Sequence, residues 1–219
     1  VTAATVRSHN ISIPADAADL PGSLVVSTPT IGVVIFAHGS GSSRHSPRNQ
    51  YVAQVLQQAG LSTVLFDLLT ESEAADRRNV FDIDLLARRL LAAARWVMSQ
   101  PAISKQPIGL FGASTGAAAA LVAAAQEPLI RAVVSRGGRP DLAGPYLGRV
   151  TAPTLLIVGG DDSDVLALNR QALAPLCCLK RLSIVEGATH LFEEPGTLEQ
   201  AAQLARDWFL QHLEKEMSP

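Results

Sequence analysis

A chain of 219 residues, 47% of them hydrophobic, can bury one substantial core and is short for two, so one domain over 1–219 is expected. Its 18 basic and 20 acidic residues are mixed along the chain and leave a net charge of −2, which argues against nucleic acid or an acidic membrane surface as a partner. No apolar run is long enough to span a membrane, and Val1-Thr2-Ala3-Ala4 shows no basic stretch followed by an apolar one, so a soluble, cytoplasmic protein is expected.

Strand-like runs at 6–13 and 20–27 have no helical pattern between them and should pair antiparallel at one edge of a sheet. The next strand, 32–37, contains the continuous apolar run Val33-Val34-Ile35-Phe36, the pattern of a parallel strand covered on both faces. A helix at 48–58, a strand at 63–67 and an amphipathic helix at 81–99 follow, then a strand at 107–111 and a small-residue helix at 114–126. After a strand at 132–135 comes a short glycine- and proline-rich stretch, 140–150, too small for a large cap. Strands at 154–158 and 181–185 alternate with helices at 165–176 and 198–214. The alternation predicts right-handed βαβ units: an α/β fold whose eight-stranded, mostly parallel sheet carries helices on both faces, with an open mouth. The adjacent Cys177 and Cys178 lack metal-ligand spacing and are expected as packed thiols.

The sharpest chemical signal is Gly112-Ala113-Ser114-Thr115-Gly116, set between a strand and a helix. There G-x-S-x-G forms a nucleophile elbow, a turn too tight for flanking side chains that holds a serine hydroxyl above the sheet edge. Ser114 is therefore the expected nucleophile, and it needs a histidine base oriented by a carboxylate. Asp141, Asp161, Asp162 and Asp164 lie downstream, the last three after a strand at the Gly159-Gly160 turn. Asp162 is the preferred acid with Asp161 as the alternative, and Asp164 suits the N-cap of the following helix. His190, in a loop before the terminal helix, is the expected base; His9, His45 and His212 have no comparable context.

His38-Gly39-Ser40-Gly41-Ser42 follows a strand and suits an oxyanion hole built from the Ser40 and Thr115 backbone N–H groups. His38 is expected to brace this loop, although it joins Arg44, Arg136 and Arg139 among candidates for contact with substrate. Those arginines would either hold an anionic group or pair with Asp67 or Asp141 to order loops, the second being preferred. A dinucleotide-binding reading of Gly39-Ser40-Gly41 fails on its third glycine, whose place Arg44 takes. No calcium-loop or phosphate-loop spacing occurs, and no metal or cofactor is expected.

These motifs, with Val165 three residues after Asp162 and with Gly187-Ala188-Thr189-His190, make the chain resemble the α/β-hydrolase superfamily from about residue 31 to residue 213, within it the compact dienelactone hydrolase-like group. The resemblance implies an α/β-hydrolase fold without a large cap, with Ser114 as nucleophile, His190 as base, Asp162 as orienter and an oxyanion hole from Thr115 and the Ser40 loop. Dienelactone hydrolases typically carry cysteine at the elbow; the serine favours general esters over dienelactones. The expected activity is hydrolysis of a small soluble carboxylic ester, with thioesters and lactones as further candidates. The competing reading is a non-catalytic protein of this fold that binds a small ligand or a partner. Oligomeric state is not legible in the pattern.

Overall fold

The computed structural model describes residues 5–214. Its eight strands are β1 (Thr5–Ala15), β2 (Ala18–Thr28), β3 (Gly32–Ala37), β4 (Leu61–Phe66), β5 (Ile108–Ala113), β6 (Ile130–Arg136), β7 (Thr154–Gly159) and β8 (Lys180–Val185). They form one sheet in the order β1-β2-β4-β3-β5-β6-β7-β8. The first two make the expected antiparallel pair, in register from Thr5 opposite Thr28 to Ala15 opposite Ala18, and β2 is also antiparallel to β4. From β4 to β8 all pairing is parallel.

Every residue of β3, β4, β5 and β7 is buried, as the continuous apolar runs require of strands covered on both sides. Side chains alternate between two cores with the period of a strand. Val33, Ile35 and Ala37 face α4 (Ile83–Ser99) and α5 (Thr115–Gln126), whereas Val34 and Phe36 face α1 (Pro47–Gln58) and α7 (Thr197–Leu213). Helix α4 is recruited by its spacing: Leu86, Ala87, Leu90, Ala93, Ala94 and Val97 form one buried stripe.

Local differences from expectation have simple causes. Helix α4 starts at Ile83 because the Asp82 carboxylate accepts the Leu85 N–H at 2.9 Å, a side-chain cap that fixes the end. Before it lie two one-turn helices, α2 (Glu71–Ala74) and α3 (Arg77–Val80), the first closed by a reciprocal capping box between Thr70 and Glu73. Helix α6 (Ser163–Ala172) ends four residues early, since Pro175 disfavours helical backbone at the residue before it. The stretch after β6 is a 3-10 segment, Pro140–Arg149, broken at Gly144; among the described residues there is no cap domain. Cys178 packs near Thr154, but Cys177 is exposed and not a packed thiol, because it lies in the irregular chain between α6 and β8.

Strand β4 lies on one side of β3 and β5 on the other, so successive connections leave β3 in opposite directions. The loops at the carboxyl ends of β3 and β5 meet at this edge, the usual location of a ligand site in an open parallel sheet. Residues 38–43 and Ser114 both emerge there. No helix of the described residues is long and apolar enough to cross a membrane.

Candidate active site

Ser114 occupies the corner between β5 and α5 with φ 52° and ψ −122°, a conformation that costs a non-glycine residue about 1–3 kcal/mol and persists only where its surroundings impose it. Its N–H donates to the Arg136 carbonyl at 3.2 Å, and its carbonyl accepts from Ala117 and Arg139 at 3.1 and 3.2 Å. Glycine on both sides is a steric requirement. A Cβ on Gly112 would lie 2.4 Å from Ala117 Cα, and one on Gly116 would lie 2.3 Å from the Ala37 carbonyl oxygen.

His190 and Asp162 come from loops after β8 and β7 and meet through a 2.7 Å hydrogen bond between Nδ1 and Oδ2. With the proton on Nδ1, the ring donates to the carboxylate and leaves Nε2 as an acceptor. Asp162, not Asp161, is thus the residue brought to the histidine; the Asp161 side chain is exposed while its N–H donates to the Ala188 carbonyl. Asp162 also stands at the N-cap position of α6 without making a side-chain cap, its carboxylate being turned to His190. Asp164 lies inside the first turn, so the expected cap there is corrected.

The histidine loop is held by its own short bonds. Thr189 donates through its N–H and hydroxyl to the Glu194 carboxylate at 3.1 and 2.6 Å, and these bonds hold the Glu194 carboxyl below the usual range. Gly159, expected only as part of a turn, and Gly137 let this loop approach the sheet. A Cβ on Gly159 would stand 2.2 Å from the Ala188 carbonyl oxygen, and one on Gly137 would stand 3.2 Å from that of His190. Ser114 and His190 line the same cavity of about 250 Å³. Among the described residues no hydrogen bond yet joins their side chains, a looseness common before substrate binds.

Thr115 and Ser40 lie side by side at this edge, but not as two free donors. The Ser40 N–H donates to the Thr115 hydroxyl at 2.9 Å, tying the loop after β3 to the elbow. That proton is shared with any oxygen arriving between them, because the hydroxyl is near enough to occupy it first. His38 braces the same loop: Nε2 accepts the Leu68 N–H at 3.1 Å and Nδ1 faces the Gly39 carbonyl at 3.0 Å. Burial lowers its pKa, which favours the neutral ring that accepts the Leu68 N–H.

The arginines separate cleanly. Arg44 pairs with Asp67 through side chain and backbone, and Arg139 makes two bonds of 2.8 and 2.7 Å to Asp141, so both order loops and neither lines the cavity. Arg136 does line it, 7% exposed, with its guanidinium 5.6 Å over the Phe192 ring and Nη2 3.5 Å from Asn49 Oδ1. Burial, and secondarily the nearby charge of Arg48, lower its pKa to about 10. Arg48 also lines this cavity, and nothing in its local pattern marks it out. Beyond Gly39 and Ser40 lies a second cavity of about 580 Å³, walled by Leu68, Leu69, Val80 and Phe81.

A mostly parallel sheet with a strained serine between strand and helix, sharing a cavity with a histidine held by an aspartate, is the framework of the α/β-hydrolase superfamily. Within it, the chain belongs to the dienelactone hydrolase family, whose model matches residues 24–216. Curated proteins of Mycobacterium tuberculosis, provisionally named phosphoribosyl transferases, are 58% identical over 209 residues, covering 95% of this chain and 47% of theirs. The chain spans about half the length of those relatives. The crystal structure of a dienelactone hydrolase from Anabaena variabilis is 54% identical and superposes with a TM-score of 0.93, covering 95% of this chain and 99% of that one. A cold-adapted esterase from an Arctic intertidal metagenomic library superposes with a TM-score of 0.79, covering 95% and 94%, at 18% identity, a likeness of fold alone.

Proposed function

We propose that the protein is a serine hydrolase that cleaves small carboxylic esters, with thioesters and lactones within its chemical reach, through an acyl-enzyme on Ser114. The observation that supports this most is the 2.7 Å His190–Asp162 bond beside a cavity that also contains the strained serine. His190 Nε2 takes the hydroxyl proton as Ser114 Oγ attacks the acyl carbon, while Asp162 stabilises the imidazolium. The developing oxyanion is met by the Thr115 N–H and by the Ser40 N–H as it turns from the Thr115 hydroxyl. The tetrahedral adduct then expels the alcohol, which leaves with the proton from His190. Water, deprotonated by the same ring, attacks the acyl-enzyme; the carboxylic acid departs and Ser114 recovers its proton.

The transferase activity in the names of the longer mycobacterial relatives is not carried over, because this chain matches only about half of them and its elbow is an acyl-transfer device. Family membership and the Anabaena relative favour hydrolysis, and serine at the elbow favours general esters. A panel of short-chain aryl esters, acyl thioesters and lactones tests the reading: turnover of at least one class by the starting protein and its loss in Ser114→Ala are expected. A folded protein inert across the panel would shift weight to ligand binding.

A further inference from the structure

The cavity of about 580 Å³ beyond Gly39 and Ser40 takes no part in the proton transfers, yet its walls are built. Leu68, Leu69 and Leu86 are its buried floor, and half-buried Val80 and the Phe81 ring, 46% exposed, stand nearer solvent. The titratable groups of the inner wall are already engaged. Both nitrogens of His38 face backbone partners, and the Asp67 carboxylate accepts from Arg44. Glu71 and Arg77, the other charged residues of the wall, are exposed. A group seated on the floor therefore meets mainly apolar carbon, which suits an uncharged occupant. The outer wall, α2 and α3, is anchored from behind: Glu73 accepts the Thr70 N–H at 2.8 Å through Oε2 and buried Arg89 at 2.6 Å through Oε1, while Asn79 donates to the Glu73 carbonyl at 3.0 Å. Helices of one turn are not stable alone, and these bonds give them a fixed place.

The chemistry decides which end of an ester enters. A tetrahedral carbon on Ser114 carries the Ser114 oxygen, an oxyanion turned to the Ser40 and Thr115 N–H groups, the alkoxy oxygen and the acyl chain. The alkoxy oxygen must lie within reach of His190, which gives it a proton as the alcohol departs. His190 lines the smaller cavity, about 250 Å³, and not the larger. The acyl chain is left the other side of the Ser40 loop, where Gly39, Ser40 and Thr115 open on the larger cavity. We propose that this larger cavity is the acyl pocket, and that the substrate class is an ester of an uncharged, unbranched acyl chain several methylenes long with a small alcohol seated beside His190. The choice of the acyl end rests on the proposed hydrolase reading; the preference of the cavity for an apolar chain does not.

The test pairs turnover with binding. Methyl hexanoate and pentyl acetate are isomers that carry the same apolar arm on opposite sides of the ester, and acid release follows both. The starting protein is expected to favour methyl hexanoate in kcat/KM by at least about tenfold, and to gain about fourfold per methylene from methyl butanoate through methyl pentanoate to methyl hexanoate, the effect of burying one CH₂. Phe81→Ala, at an exposed position, and Val80→Ser should each cut the hexanoate-to-butanoate ratio about threefold or more. Leu129→Ala, an exposed leucine outside both cavities, should leave that ratio as it is. In the binding arm heptan-2-one, which has methyl in place of the methoxy group of methyl hexanoate and cannot be hydrolysed, is titrated while methyl NMR resonances are followed. Shifts at Leu69, Val80 and Leu86, larger than with pentan-2-one at the same concentration, are expected. Preference for pentyl acetate, a flat acyl series, or an unchanged ratio in both folded wall variants would overturn the acyl assignment and leave the hydrolase reading standing. Ketone-induced shifts without turnover of any ester would keep the apolar site but overturn its acyl role together with the hydrolase reading, and shifts absent with both ketones would overturn the apolar site itself.

Discussion

Replacing Gly159 by alanine should disable the site without touching any side chain in it. The added Cβ would lie 2.2 Å from the Ala188 carbonyl oxygen, with the Ala188 carbonyl carbon and the Thr189 oxygen both at 2.8 Å. An ordinary carbon–oxygen contact is about 3.3 Å, so the Ala188–Thr189 backbone must retreat by roughly 1 Å. That peptide leads directly into His190 and accepts the Asp161 N–H at 3.0 Å, so the displacement falls between the imidazole and the carboxylate that orients it. A misplacement of about 1 Å in a catalytic constellation costs roughly 100-fold in rate. The assay is the rate at which a fluorophosphonate modifies Ser114, followed by intact mass spectrometry, with near-ultraviolet circular dichroism to verify the fold. Gly160→Ala is the control, because its nearest neighbour is the Glu186 carboxylate at 3.1 Å, the free end of a flexible side chain. It should react within about twofold of the starting protein, less than the effect of one ordinary hydrogen bond. A folded Gly159→Ala variant that labels at the unaltered rate would show that the histidine loop does not depend on this close approach.

Asp162→Asn should lower kcat by up to about 10⁴-fold, since an amide no longer enforces the tautomer that leaves Nε2 free, while Asp161→Asn should change it by only about twofold; a larger loss in Asp161→Asn in steady-state assays would return the choice of acid to Asp161. Thr115→Val removes the hydroxyl that accepts the Ser40 N–H and should lower kcat about fivefold, whereas Thr115→Ser, keeping the hydroxyl, should retain most of it; parity of the two variants would show that the tie is idle. His38 has its pKa lowered by burial, so between its folded value and about 6.5 the unfolded chain binds more protons and stability rises with pH. Urea denaturation from about pH 7 to pH 5 should show stability falling by at most about 1.4 kcal/mol per pH unit for this group, and His38→Gln should flatten that share. His212, lowered in the same direction by burial, supplies a remaining slope, and an unaltered pH dependence in His38→Gln would contradict the assignment.

The legible parts of this protein were those governed by local pattern. Runs such as Val33-Val34-Ile35-Phe36 can be satisfied only between two apolar layers, so the inner strands could be read from the chain directly, while β1, mostly exposed, reads as half of an antiparallel edge pair. Bracketing glycines announced the strained corner because the elbow is itself a local object. The one-turn helices before α4 are too short to show a hydrophobic period, although Thr70-Glu71-Ser72-Glu73 carries a capping box that could have revealed one. Choosing among neighbouring aspartates depends on tertiary direction: N-cap chemistry suited Asp164, but Asp162 takes that backbone position and gives its carboxylate to His190. The same limit hid the close approach at Gly159, which reads as a turn glycine, and at Gly137 until the histidine loop is seen pressed against them. It also hid the difference between Arg139, whose acid is two residues away, and Arg136, which has none in space.

Fluorophosphonate labelling with peptide mass spectrometry tests whether Ser114 is an activated nucleophile without any knowledge of the substrate. Rapid modification confined to Ser114, lost in Ser114→Ala and strongly slowed in His190→Ala, is expected. A well-folded protein whose Ser114 stays unmodified, or labels at the same rate without His190, would contradict it.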